Sequence, residues 1–149
     1  MSYAIGLHIQ ITIFESYFNK SELIEYGNRE KRYTMASWVT HLMIADNVMK
    51  QCPELDRRGF CVGNIAPDCN VENTDWTSFT PSREVTHWMK GERKVASDCD
   101  SFCNEYILKS KNNIQSQEHY SFLLGYYVHL ITDAAFQWYI RDDKRVKDT

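Results

Sequence analysis

Hydrophobic and polar positions alternate strictly at the front of the chain. Ile5, Leu7, Ile9, Ile11 and Ile13 fall on one side, and Gly6, His8, Gln10 and Thr12 on the other. A period of two predicts a half-buried strand, with His8 turned to solvent. From Glu15 to Arg32 the chain becomes polar, which predicts a short helix and then the charged loop Asn28–Arg32. Beyond that the spacing turns helical. Ser37 is placed to cap a helix carrying Val39, Leu42, Met43 and Val48, with Pro53 marking its exit. Arg57 to Phe79 shows no periodicity and holds Gly59, Gly63 and Pro67, so a long loop of the functional kind is expected. Thr80-Pro81 predicts a helix start, with Thr as cap and Pro at the first helical position, and Val85, Trp88 and Met89 as its apolar face up to Gly91. A further helix is expected over 96–110, through Phe102, Tyr106 and Ile107. The longest starts near Gln115, carries Tyr120, Leu123, Leu124, Tyr127, Val128, Ile131, Ala135 and Trp138, and ends in the charged run Arg141 to Asp148. The expected fold class is all-α, a multi-helix domain with a strand-like N-terminal extension.

Composition narrows this picture. At 149 residues the chain is the size of one domain. Its net charge of −3 argues against an extended basic nucleic-acid surface, because neutralising phosphates takes clustered cations. With 43% apolar and 25% charged residues the chain should fold rather than stay disordered. No apolar run reaches the roughly 18 residues of a membrane-spanning helix, and no helix pairs a strongly basic face with a broad apolar one. The N-terminus lacks a basic stretch and a cleavage site, so Cys52, Cys61, Cys69, Cys99 and Cys103 read as reduced thiols of a cytoplasmic protein. Cys99 and Cys103 lie one helical turn apart. Without a second pair at zinc-finger spacing they read as buried small apolar residues rather than as metal ligands.

Candidate chemistry collects in four phrases. In Gly125-Tyr-Tyr-Val-His-Leu-Ile-Thr-Asp133, His129 and Asp133 are four apart and share one helix face, where an imidazole nitrogen and a carboxylate can converge on one cation. Gly125, a turn earlier on that face, would keep the site uncrowded. Nitrogen and oxygen donors together suit Zn²⁺ or a similar ion. A purely structural His–Asp pair is the alternative. His41 lies on the first strong helix, Asp68 ends Val62-Gly-Asn-Ile-Ala-Pro-Asp68, and His87 stands beside Trp88. Taken singly, these read as a core histidine, a Pro-Asp turn whose carboxylate bonds nearby backbone amides, and an imidazole packed on Trp88.

Together, Trp38-Val-Thr-His-Leu-Met-Ile-Ala45, Gly63-Asn-Ile-Ala-Pro-Asp68, Thr86-His87 and the Gly125–Asp133 phrase resemble the bacterial zinc-dependent phospholipase C family, in the family's order and over about residues 35–140. That family shares an all-helical fold and a trinuclear zinc centre with the S1/P1 nucleases. The resemblance implies that Asp68, His87, His129 and Asp133 hold one zinc ion, and that Asp133 bridges to a second held with His41. It further implies that Asp68 accepts the proton of a metal-activated water attacking phosphorus. The implied substrate is a phosphodiester small molecule or phospholipid head group.

The chain also departs from the family pattern. No histidine occurs in Ala134–Ile140, where Gln137 and Tyr139 stand instead, and no later His-x-x-x-Glu precedes Thr149. One to two zinc ions are therefore expected, without a furnished third site. Residues 1–34 read as an extension ahead of a domain running over 35–149 that stops short of the family's ligand-bearing end. Two other functions stay open. One is an S1/P1-like nuclease or 3′-nucleotidase, with Trp38, Trp76 or Trp88 stacking a base. The other is a zinc-stabilised helical binding module without catalysis.

Overall fold

The computed structural model describes residues 36–89, 97–109 and 114–137. Within them the protein is all-α apart from one minimal hairpin, as the sequence predicts. Helix α1 spans Trp38–Gln51 and starts where expected: the Ser37 hydroxyl accepts from the Thr40 amide at 3.3 Å. Its inward face is different from the expected one. His41, Ile44, Ala45 and Val48 are buried, at the i, i+3, i+4, i+7 spacing of one helix stripe, whereas Val39, Leu42 and Met43 are exposed. A polar residue on the core side hides this stripe from a purely hydrophobic count.

Helix α2, Arg57–Ile65, lies where the chain reads as loop. Asp56 caps it, its carboxylate accepting from the Gly59 amide at 2.7 Å, while the Asp56 amide donates to Ser121 Oγ at 2.8 Å. Gly59 and Gly63 are the reason it was illegible and also the reason it packs as it does. They sit one turn apart and face α5, the long helix Gln117–Gln137. A Cβ on Gly59 would run into the Glu118 carbonyl, and one on Gly63 into the Phe122 carbonyl. From the other side, a Cβ on Gly125 would meet the Phe60 carbonyl and come within 2.9 Å of the Asn64 amide nitrogen. The two helices thus approach backbone to backbone, and Phe60 is fully buried beside the contact. The role expected for Gly125, clearing space around a metal, is corrected accordingly: it clears space for α2.

After α2 comes a 3₁₀ turn, Ala66–Asp68, and then strands β1 (Val71–Glu72) and β2 (Phe79–Thr80), antiparallel with Val71 opposite Thr80. Helix α3 is only Arg83–Thr86. Thr80 belongs to β2 and Ser82 takes the cap position, so the expected Thr80-Pro81 start is displaced by two residues. The helix also ends before Trp88, and Val85 is exposed. Helix α4, Cys99–Phe102, capped by Asp98, runs into a π-type stretch, Cys103–Leu108, within the helix expected over 96–110. Helix α5 is central: Leu124, Tyr127, Val128 and Leu130 join Ile44, Val48, Phe60, Phe102 and Ile107 in one core. Phe102 stacks on Tyr126 at 5.0 Å between ring centroids.

All five cysteines are free. Cys99 and Cys103, expected to be buried, are only partly so; Cys52 is buried and Cys69 exposed. The strand expected over 4–14, the polar stretch to Arg32, Trp138 and the charged run from Arg141 lie outside the described residues.

Candidate metal centre

Four elements converge on one point inside the molecule. Helix α1 brings His41, the 3₁₀ turn brings Asp68, the end of α3 brings His87, and α5 brings His129 and Asp133. His41 and His129 are fully buried, His87 and Asp133 are 1% exposed, and only Asp68 has a partly open side chain. All five residues expected from the sequence are brought together. Two of the alternative readings of single residues differ from the structure: the Asp68 carboxylate faces His87 and Arg83 rather than backbone amides, and His87 faces His129 rather than Trp88. Trp88 instead packs edge-on against Phe102 and Tyr106.

Backbone and hydroxyl groups aim the imidazoles. His129 Nδ1 donates to the Asn64 carbonyl at 2.8 Å, which turns Nε2 inward as a bare acceptor. The glycine-lined crossing of α2 and α5 brings that carbonyl into reach. Thr86 Oγ1 donates to the Arg83 carbonyl at 3.4 Å and lies 2.9 Å from His87 Nδ1, so this hydrogen-bond network assigns the proton to Nδ1 and points His87 Nε2 inward too. Tyr126 Oη donates to the Thr86 carbonyl at 2.5 Å and ties α5 to this turn. His41 stacks flat on His129, ring centroids 3.8 Å apart.

What faces inward is a set of acceptors. His87 Nε2 lies 3.2 Å from Asp68 Oδ1, 3.3 Å from His129 Nε2 and 3.5 Å from Asp133 Oδ2, and His129 Nε2 lies 3.7 Å from that same oxygen. Asp133 Oδ1 is 3.3 Å from His41 Nε2, off the line of a hydrogen bond. Both Asp133 oxygens and both His41 nitrogens are buried with no hydrogen-bond partner. Orphaned buried acceptors are costly, and a single proton can serve only one of these pairs. A cation among them meets all of them. His41, Asp68 and His129 form one group with donor atoms within 4.8 Å of one another, and His87, His129 and Asp133 form another. His129 belongs to both but has only Nε2 to offer, so the two groups compete for it.

Burial is the main reason the His129 imidazolium is disfavoured, with His41 adding to it and Asp133 and Asp68 opposing, so its pKa is pushed down to about 4. For Asp68, burial works against ionisation. The close approach of the His87 ring and the positive charge that the neighbouring imidazoles and Arg83 can carry outweigh it and hold the carboxyl at about 2. Donor nitrogen and carboxylate are thus in their ligating forms at neutral pH. One consequence concerns stability. The unfolded chain binds the His129 proton near pH 6.5 and the folded one only near 4, so the contribution is complete above 6.5 and lost as pH falls. Metal-stripped protein is expected to lose about 3 kcal/mol between these values, and His129→Gln to flatten the slope, as read by urea unfolding at a series of pH values.

The sequence reading missed two contributors. Asn64 has its place through its backbone carbonyl, which no side-chain pattern announces. Arg83 belongs to none of the four phrases, yet Nη2 lies 3.1 Å from His87 Nε2, 3.5 Å from Asp68 Oδ1 and 3.7 Å from Asp133 Oδ2. Its i, i+4 relation to His87 is the signal that was available. Neither Cys99 nor Cys103 belongs to either donor group.

A helical domain that buries three histidines and two aspartates around one point, four of the five on helices or at a helix end, has a donor set that could hold a metal ion. The chain belongs to the zinc dependent phospholipase C family, whose sequence pattern matches residues 40–136 and so includes all five. Comparison with curated proteins and with solved structures gives no match. Among the described residues no helix is long and apolar enough to cross a membrane.

Proposed function

We propose that the protein is a zinc-dependent phosphodiester hydrolase in which His41, Asp68, His87, His129 and Asp133 hold one to two zinc ions. The observation that carries this reading is the cluster of inward-facing acceptors around His87 Nε2 and His129 Nε2, with orphaned Asp133 oxygens behind them. The residues fit the ion: imidazole nitrogen and carboxylate oxygen are its usual donors, and the partners behind His129 and His87 fix the tautomers. When bound, zinc supplies a polarised phosphoryl oxygen and a water of lowered pKa.

The chain's own residues do the rest. Asn64 and Thr86 keep both Nε2 atoms aimed inward. Asp133, closed off from water, holds its two oxygens toward different partners, His41 on one side and His87 with His129 on the other. Asp68 is the most open of the five and ionised, so it is the group placed to accept a proton from water at the mouth of the site. The substrate of this reading is a phosphodiester small molecule or a phospholipid head group. Trp88 is engaged with Phe102 and Tyr106, and no specific contact at the cluster favours the nuclease alternative.

Purified protein is expected to release the head group from a phosphatidylcholine analogue in a zinc-dependent way, with chelator abolishing and zinc restoring turnover. Single-stranded DNA offered side by side should be cut far more slowly. Zinc-loaded protein that turns over neither substrate would leave a zinc-stabilised binding module and end the hydrolase reading.

A further inference from the structure

Arg83 stands between the buried cluster and solvent. Its side chain is 40% exposed, against 16% for Asp68 and 2% or less for the buried ligand side chains it faces. Nη2 reaches His87, Asp68 and Asp133 at 3.1–3.7 Å, so among the described residues the guanidinium is a cation set directly against these acceptors. Nε lies on the same edge of the guanidinium as Nη2, and it is buried with no hydrogen-bond partner. A fork with one donor committed loosely and its neighbour unsatisfied is an incomplete bidentate site, and the ligands that complete such a fork are carboxylate and phosphate oxygens.

Charge points the same way. Asp68 and Asp133 bring two negative charges and Arg83 one positive, so the cluster is net negative until a divalent ion enters and net positive afterwards. An ion among the carboxylates takes over the partners that now engage Nη2, which frees the whole Nε–Nη2 edge at the mouth, beside new positive charge. An anion is what such a mouth attracts.

Resting on the hydrolase reading above, we propose that Arg83 is a phosphate-binding residue of this site, whose Nε–Nη2 edge grips a non-bridging oxygen of the substrate phosphoryl group once metal has displaced it from the carboxylates. It is then what holds the phosphate in register with the metal centre.

The test uses the full chain loaded with zinc and inorganic phosphate as the probe, with zinc content measured before phosphate is added. Arg83→Gln is expected to keep its zinc and to weaken phosphate binding, by calorimetric titration, about tenfold or more. Arg83→Lys keeps the charge but not the fork and should fall between. Should Arg83→Gln not fold, Arg83→Lys carries the test, a roughly three- to tenfold loss at full zinc content supporting the proposal. Phosphate affinity within twofold of wild type at full zinc content overturns it, as does absence of phosphate binding in the zinc-loaded wild type. Loss of zinc in the Arg83 variants overturns it too, by making Arg83 a structural member of the cluster. Wild-type protein that takes up no zinc is the separate failure: the hydrolase reading falls at that first measurement, and the inference with it.

Discussion

Asp133→Asn is expected to remove most of the stability that zinc confers while leaving the metal-free fold intact. In wild-type protein, zinc at about a thousand times its dissociation constant should raise the unfolding free energy by about 4 kcal/mol, because it binds the folded state only. Asp133 sits where that increment originates: its two buried oxygens face His41 on one side and His87 with His129 on the other, and neither has a hydrogen-bond partner. An amide of the same shape removes the charge that attracts the ion. It also removes a buried carboxylate that has no hydrogen bond and only long contacts to charge, which is a cost to the metal-free protein. The two effects separate in one experiment. Urea unfolding with chelator should show Asp133→Asn near or above wild type, and with zinc well below it. A residue there for structure alone would instead lower both curves together.

Gly125→Ala should be one of the most damaging single methyls in the described core, alongside the matching change at Gly63. In an ordinary helix interior this change stabilises by about 1 kcal/mol, since alanine is the better helix former. Here the new Cβ has nowhere to go. It meets the Phe60 carbonyl and the Asn64 amide, which are backbone and cannot turn aside like a side chain. Helix α2 has to move off α5, and the expected cost is about 3 kcal/mol, of opposite sign to the propensity effect. The same shift draws the Asn64 carbonyl away from His129 Nδ1, so zinc affinity should fall as well, although the substitution touches no ligand. Thermal unfolding and chelator competition check the two parts. A variant as stable as wild type would mean that the helices do not approach as closely as described.

These two residues also show what the sequence could and could not disclose. Asp133 was legible, because a step of four positions from histidine to aspartate is a geometric statement about one helix face, and three further phrases in order gave it partners. Gly125 was visible but misread. From one helix alone a glycine before a histidine looks like room for a metal, and only the opposing helix shows that the room belongs to backbone. Helix α2 was lost for the same reason. Gly59 and Gly63 break a hydrophobic count and look like loop, and the interaction that forms the helix lies some 60 residues away along the chain, on α5. Helix α1 was found through its cap, Ser37, but its inward face was not, since His41 belongs to the site and Val39, Leu42 and Met43 stay outside. The Thr80-Pro81 signal is a genuine turn cue that the hairpin claims, leaving Ser82 to start α3. Arg83 escaped because its one cue, the i, i+4 spacing to His87, is weak on a helix of four residues. What the sequence revealed best is chemistry written in local spacing, and what it concealed is placement decided by tertiary contact.

The central claim is that His41, Asp68, His87, His129 and Asp133 together hold zinc. The most direct test is metal content by elemental analysis, with the zinc-edge X-ray absorption spectrum of the same sample. One to two zinc ions per chain, with nitrogen and oxygen neighbours at about 2.0–2.2 Å and no sulfur, is the expected result. Folded protein that takes up no zinc, or zinc with sulfur neighbours at about 2.3 Å, would contradict it.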